Sequence, residues 1–199
     1  MSLFISMKIS MNTNINFSAN FIKQTTIAKY NKGRFIDVDA SVVELMPNDK
    51  KDVKALKSAT HSWLYGDEFG FCILDDIEDI RDKKKDGNIY KAYAITTQKE
   101  NYSQLEGKKI LGAGILKKSG DNELKLRFLQ VAPDMSFNNR SRRYKNIGRA
   151  LIDFFKSQSE GKTLLVQAFY SAANFYEKMG FEIIDTKSLI YKWVNSIKK

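Results

Sequence analysis

Residues 124–131 read Leu124-Lys125-Leu126-Arg127-Phe128-Leu129-Gln130-Val131. Leu124, Leu126 and Phe128 alternate with Lys125 and Arg127, the period of two that marks a β-strand. The phase then slips, because Leu129 and Val131 form the next apolar pair. Side chains of a regular strand cannot change face in this way. Two readings account for the slip: a β-bulge at about Phe128–Leu129, or a strand buried on both faces. A bulge would leave backbone N–H and C=O groups unpaired and open to a ligand.

Downstream, the run Arg140-Ser141-Arg142-Arg143-Tyr144-Lys145-Asn146-Ile147-Gly148-Arg149 holds five basic residues in ten. It leads into Ile147, Leu151, Phe154 and Phe155, which share one face of an amphipathic helix. A helix N-terminus presents free N–H donors and a partial positive charge, and so favours phosphate. Gly148 permits close approach of a ligand to the backbone, and Asn146 tolerates a left-handed conformation. The plainer alternative is a solvated basic loop. The run stands between a strand ended by Pro133 and a helix start, where an open α/β sheet places its ligand.

The flanking sequence supplies alternating elements. Arg34–Leu45, with Ile36, Val38, Val42 and Val43, reads as a strand. Pro47-Asn48-Asp49 signals a helix start, and Val53, Leu56, Trp63 and Leu64 share a face of that helix. Glu68–Gly87 is acidic and irregular, a short helix or a flexible loop. Ile89–Thr97 and Lys109–Lys117 read as strands joined by a polar turn around Glu100–Gly107. Leu164–Ala168 is a short apolar strand, and Ser171–Met179 a helix closed by Gly180. Ile183–Asp185 and Ser188–Val194 form a last hairpin. The fold class is α/β (α+β), one mixed sheet with helices on both faces.

Composition narrows the function classes. A chain of 199 residues, 43% hydrophobic and 12% aromatic, suits a single domain with a real core. Thirty-three Lys and Arg against 23 Asp and Glu give a net charge of +10, which attracts anions without selecting one. A single cysteine, Cys72, excludes an internal disulfide framework and a Cys-rich zinc site. A single histidine, His61, excludes a His-pair metal site, so no metal is expected. No run of about 18 apolar residues exists to span a membrane. Residues 1–32 lack the unbroken apolar stretch of a secretory signal, which gives a cytoplasmic address. They read as an N-terminal arm or an added edge strand, ahead of a single domain over 33–199.

Three stretches carry a resemblance: Val131-Ala132-Pro133-Asp134, then Arg143 through Leu151, then Ala172 through Phe181. Together they resemble the GNAT acetyltransferases. The family's pyrophosphate loop, Gln/Arg-x-x-Gly-x-Gly/Ala followed by a helix, is matched with Arg143 first, Asn146 at the first glycine and Gly148 at the second. The family's later signature, Ala-x-x-Leu/Phe-Tyr-x-x-x-Gly-Phe, is matched at Ala172, Phe175, Tyr176, Gly180 and Phe181. The resemblance implies a mixed, mostly antiparallel central sheet. It also implies a splayed cofactor cleft between the fourth and fifth strands, with Leu124–Val131 as the fourth. It implies acetyl-CoA as acetyl donor, with Leu129 and Val131 holding the pantetheine arm through their backbone. Arg143, Tyr144, Lys145, Asn146, Ile147, Gly148, Arg149 and Ala150 would cradle the pyrophosphate. Tyr176 would serve the leaving thiolate.

The sequence departs from the family pattern in places. Asn146 replaces a glycine, Phe169 stands where many relatives have an asparagine, and Lys125 stands where some carry a glutamate base. Glu123 is the nearby substitute. His61, Cys72 and the acidic stretch Asp75–Asp82 read first as surface, buried and solvated residues respectively. The resemblance implies acetyl transfer to a primary amine of a small molecule or a protein. Two alternatives stay open: a toxin acetylating aminoacyl-tRNA, reached through the basic loop 140–149, and a non-catalytic module holding coenzyme A or RNA. A monomer and a homodimer are both compatible with the chain.

Overall fold

The computed structural model describes residues 19–63, 69–99, 104–133 and 142–194. In chain order the elements are β1 (Asn20–Asn31), β2 (Arg34–Leu45), α1 (Lys50–Ser62), α2 (Phe69–Arg81), β3 (Tyr90–Thr96), β4 (Ile110–Lys118) and β5 (Glu123–Val131). They continue with β6 (Tyr144–Lys145), α3 (Ile147–Gln158), β7 (Thr163–Gln167), α4 (Ala173–Lys178), β8 (Glu182–Asp185) and β9 (Ile190–Val194). The described strands form one nine-stranded sheet in the order β6-β1-β2-β3-β4-β5-β7-β9-β8. Every pairing is antiparallel except that of β5 with β7. The polar turn expected around Glu100–Gly107 lies partly outside the described residues, as does Arg140 of the basic run.

The β1–β2 hairpin turns on Lys32 and Gly33, both with positive φ (+44° and +90°), as a two-residue hairpin of this hand requires. The boundary drawn from sequence between residues 32 and 33 falls inside this turn. Strand β1 belongs to the same sheet as the later strands: it pairs with β2 from Asn20 to Asn31 and buries Ile27 and Ala28. β6 pairs outside it at Ala28 and Lys29, so β1 is not the edge there. Residues 1–18 lie outside the described residues.

Asp49 caps α1 by accepting a hydrogen bond from the Lys51 amide at 2.7 Å, as the Pro47-Asn48-Asp49 signal predicts. Glu68–Gly87 contains a full helix rather than a loop: Ile73, Leu74 and Ile77 recur at helical spacing and are buried on α2. The acidic stretch is not wholly solvated either, since Asp76 is also buried.

Two glycines decide where α3 sits. A methyl group at Gly112 of β4 would fall 2.9 Å from the Gln130 carbonyl oxygen and 3.2 Å from side-chain carbons of Ile147 and Leu151. At Gly114 it would fall 2.9 Å from Phe155 Cζ. Their missing side chains let α3 lie close against the sheet, burying Leu151, Ile152, Phe154 and Phe155. Each such side chain stabilises the fold by roughly 2–3 kcal/mol. α2 packs against the other side of β4 and β5.

The bulge is present in β5, one residue earlier than the sequence placed it. Leu126 pairs with Leu116 and Phe128 with Ile115, so Arg127 is the extra residue. The reason is that Phe128 shares a face with Ile115, opposite the face of Leu116 and Leu126. Counting Phe128 in phase with Leu126 moved the slip downstream. With Arg127 out of register, Leu124, Leu126, Leu129 and Val131 all face α3. Among the described residues, no helix is long and apolar enough to cross a membrane.

Candidate active site

The parallel pairing of β5 with β7 runs only from Glu123–Thr163 to Leu126–Val166. Beyond Leu126 the two strands part, and β5 keeps only its β4 neighbour. The Ala132 amide donates to the Leu111 carbonyl at 2.9 Å, which fixes the hydrogen-bonding phase of the strand. In an antiparallel ladder that phase alternates. Gln130 and Ala132 therefore direct their backbone groups to β4, while Leu129 and Val131 direct theirs into the fork. The Val131 carbonyl accepts from Gln130 Nε2 at 2.7 Å. Sequence reasoning passed over Gln130; a buried amide among apolar neighbours was its signal.

The first turn of α3 stands beside this opening. Asn146 is its N-cap residue in the left-handed region (φ 67°, ψ 9°), and its side chain makes no capping hydrogen bond. The asparagine thus takes the backbone shape for which the family pattern carries glycine. Ile147 and Ala150 bury their side chains, so only their backbone could meet a ligand, whereas Arg143 and Arg149 are exposed.

Three elements meet at Gly148. A methyl group there would lie 3.3 Å from Phe175 Cζ in α4 and 3.6 Å from Val131 Cγ2 at the end of β5. Next to Phe175, the Tyr176 ring is enclosed by Phe175, Phe181 and Tyr191, with centroids 5.2, 5.6 and 6.1 Å away. Gly180 (φ +76°) closes α4 and lets the Phe181 amide return to the Tyr176 carbonyl. The Tyr176 hydroxyl has no hydrogen bond, yet no enclosed side-chain oxygen among the described residues lacks one. The hydroxyl is therefore not completely enclosed, although the residue as a whole is buried. Burial pushes its pKa well above the ordinary value of 10.0, so the phenol stays protonated.

Residues 93–183 match the family model described as the acetyltransferase (GNAT) domain. The chain carries a GNAT acetyltransferase domain. No curated protein sequence matches the chain. Solved structures agree in fold. One is a protein from Exiguobacterium sp. 255-15 assigned to the acetyltransferases (16% identity, TM-score 0.53, covering 80% of this chain and 95% of that one). Another is the PaiA N-acetyltransferase of Thermoplasma acidophilum in complex with coenzyme A (16% identity, TM-score 0.50, 78% and 97%). A third is AtaT complexed with acetyl-methionyl-tRNAfMet (15% identity, TM-score 0.51, 78% and 95%). At these identities the likeness is one of fold.

In the GNAT domain the family's fourth and fifth strands are β5 and β7, and the fork between them is the splayed cleft. Not every residue expected at the site is free to serve there. Tyr144 and Lys145 are strand β6, paired to Lys29 and Ala28, and the Tyr30 amide donates to the Arg143 carbonyl at 2.8 Å. The Lys145 ammonium lies 3.7 Å from the centroid of the Phe35 ring. This stretch was expected as an open loop; pairing with β1 holds it to the sheet instead. Glu123 is at the closed end of the fork, four residues before Arg127, about 13 Å along the strand. His61 is exposed and its Nδ1 lies 2.7 Å from the Lys57 carbonyl of its own helix. Cys72 is half-buried. Phe169 and Tyr170 are exposed beyond the end of β7. Among the described residues, no group of three or more His, Cys, Asp or Glu side chains is placed to hold a metal ion.

Proposed function

We propose that this protein is an acetyl-CoA-dependent N-acetyltransferase, moving an acetyl group from the thioester to a primary amine of a small molecule or a protein. One observation carries the reading: β5, the start of α3 and α4 converge at Val131, Gly148 and Phe175, on a fork into which Leu129 and Val131 direct their backbone groups. A pantetheine arm would pair with those backbone groups much as a missing strand would. The Ile147, Gly148 and Arg149 amides would take the diphosphate, helped by the helix dipole and by the exposed Arg149 and Arg143. Gly148 fits this role because any larger side chain would fill the space between α3 and α4.

The acceptor amine must be neutral to attack, although a free alkylamine is mostly protonated near neutral pH. Backbone N–H donors of the parted β5 would stabilise the developing oxyanion. Tyr176 would donate a hydrogen bond to the departing sulfur. A phenol held above its ordinary value of 10.0 is a weaker acid than a thiol near about 8.5. It would therefore stabilise the thiolate by hydrogen bonding rather than surrender its proton outright. The test uses the full chain with acetyl-CoA and a panel of amines, following thiol release and acetyl mass gain on the acceptor. Absence of both across the panel, with coenzyme A bound, would leave the non-catalytic module.

The second reading, an aminoacyl-tRNA acceptor, is favoured by the net charge of +10. It requires affinity for tRNA that falls steeply with salt. No binding at low salt would remove it.

A further inference from the structure

Strand β1 runs antiparallel to α3. Near its start the Lys23 ammonium lies 5.6 Å from the centroid of the Phe154 ring, in the second half of α3. Near its end Ala28 and Lys29 pair with Lys145 and Tyr144, just before α3 begins. The register of β1 with β2 is unbroken from Lys23 to Asn31, so Lys23, Thr25, Ile27 and Lys29 all share the face that α3 covers. Arg34, opposite Asn31, stands on that face too. Lys29 is opposite Ile36, which makes Lys29 and Arg34 diagonal neighbours, roughly 7–8 Å apart. Both are exposed, and both stand past the N-terminal end of α3 on the helix's own side of the sheet. Lys145, paired with Ala28, is turned to the opposite face, where its ammonium covers Phe35.

Neither cation has an anionic partner: among the described residues, Lys29 and Arg34 form no ion pair. The nearest carboxylates along β2, those of Asp37 and Asp39, pair with Ala28 and Thr26 and so belong to the other face. The two segments that meet here, 28–35 and 142–149, hold three and four Lys or Arg respectively, and no Asp or Glu. Two like charges side by side on a strand pair repel, and an anion placed between them relieves that repulsion.

Position identifies the anion. Under the function proposed above, pantetheine lies in the fork and the diphosphate meets the first turn of α3. Beyond the diphosphate, coenzyme A continues to a ribose that carries one further phosphate, a 3′-monoester. Gly148 touches the fork side of that first turn, at Val131 and Phe175, whereas Lys29 and Arg34 stand on its far side, away from β5. We propose that Lys29 and Arg34 form a subsite for the 3′-phosphate of coenzyme A. The N-terminal hairpin supplies it from outside residues 93–183, the part of the chain that matches the family model. Both side chains would bind the phosphate by charge-assisted hydrogen bonds. The identity of the ligand rests on the function proposed above.

Calorimetric titration of the full chain with coenzyme A and with dephospho-coenzyme A, which lacks only the 3′-phosphate, tests the proposal. Wild type is expected to bind coenzyme A about tenfold more tightly. Lys29→Gln combined with Arg34→Gln removes that preference: affinity for coenzyme A falls about tenfold, and affinity for dephospho-coenzyme A stays within about twofold. Lys54→Gln combined with Lys57→Gln, on the exposed side of α1, lowers the net charge equally and keeps the wild-type preference. Should the hairpin double variant fail to fold, each single substitution carries the same test with a loss of about threefold. Equal loss of both ligands in the hairpin variant would overturn the proposal. So would a wild type that binds the two ligands alike, or an α1 variant with as large an effect. A hairpin variant that loses affinity for tRNA but not for coenzyme A would assign the patch to RNA and also overturn it. A wild type that binds neither ligand would bring down the cofactor reading itself, and the subsite with it.

Discussion

Gly148 at the start of α3 faces Phe175 of α4 so closely that a methyl group on it would lie 3.3 Å from the ring Cζ. The two helices that flank the fork come together here, and even a methyl group between them would make Phe175 give way slightly. Gly148→Glu puts both bulk and negative charge at the proposed diphosphate site. Calorimetric titration is expected to show no binding of coenzyme A to this variant. Wild-type affinity would contradict the assignment of the loop.

Tyr176 separates structural from chemical roles. Its ring is buried but its hydroxyl makes no hydrogen bond, so Tyr176→Phe should change stability by no more than about 0.5 kcal/mol. Turnover should fall about a hundredfold with little change in KM for acetyl-CoA. Full activity in this variant would remove the tyrosine from the mechanism.

Asn146 holds φ at 67°, a conformation that glycine accepts freely and a β-branched residue resists. Asn146→Val is expected to destabilise the protein by about 1–2 kcal/mol in urea unfolding. Asn146→Gly should retain both stability and affinity for coenzyme A. Equal stability of the two variants would show that the left-handed turn is not maintained in solution.

Lys145 tests which cations serve the ligand. With its ammonium over the Phe35 ring, Lys145→Ala should lose about 0.5–1 kcal/mol of stability and keep wild-type affinity for coenzyme A. A large loss of affinity would mean that the side chain leaves Phe35 when the ligand arrives.

Burial pushes the Tyr93 hydroxyl up to about 12, with a smaller contribution from Glu44, and raises Tyr176 further. Above the unfolded value of 10.0 the unfolded chain releases these protons while the folded chain keeps them. Their stabilising contribution is thus complete below that pH and is lost as pH rises from there towards 12 and beyond. For Tyr93 the loss is about 3 kcal/mol at most. Tyr93→Phe should flatten the fall in unfolding free energy between those two pH values. An unchanged slope would show that Tyr93 ionises freely in the folded protein.

Much of the architecture was legible along the chain because its signals are local. A period of two, a capping aspartate at 49 and a glycine closing α4 each act within a few residues. The slip in Leu124–Val131 revealed the bulge, and the motif through Gly148 and Tyr176 marked the two helices beside the fork. Tertiary structure decided the rest. Arg127 is the bulged residue because Phe128 packs with Ile115 on a neighbouring strand, which no count along β5 can reveal. Asp76 is buried because Arg127 and Lys85 reach it, although it lies in a stretch that is acidic in sequence. Tyr144 and Lys145 are a strand because β1, more than a hundred residues earlier, offers an unpaired edge. In each case the deciding partner is distant in sequence. Period and capping report on neighbours along the chain, whereas register, burial of charge and strand pairing are set by groups that meet only once the sheet has formed.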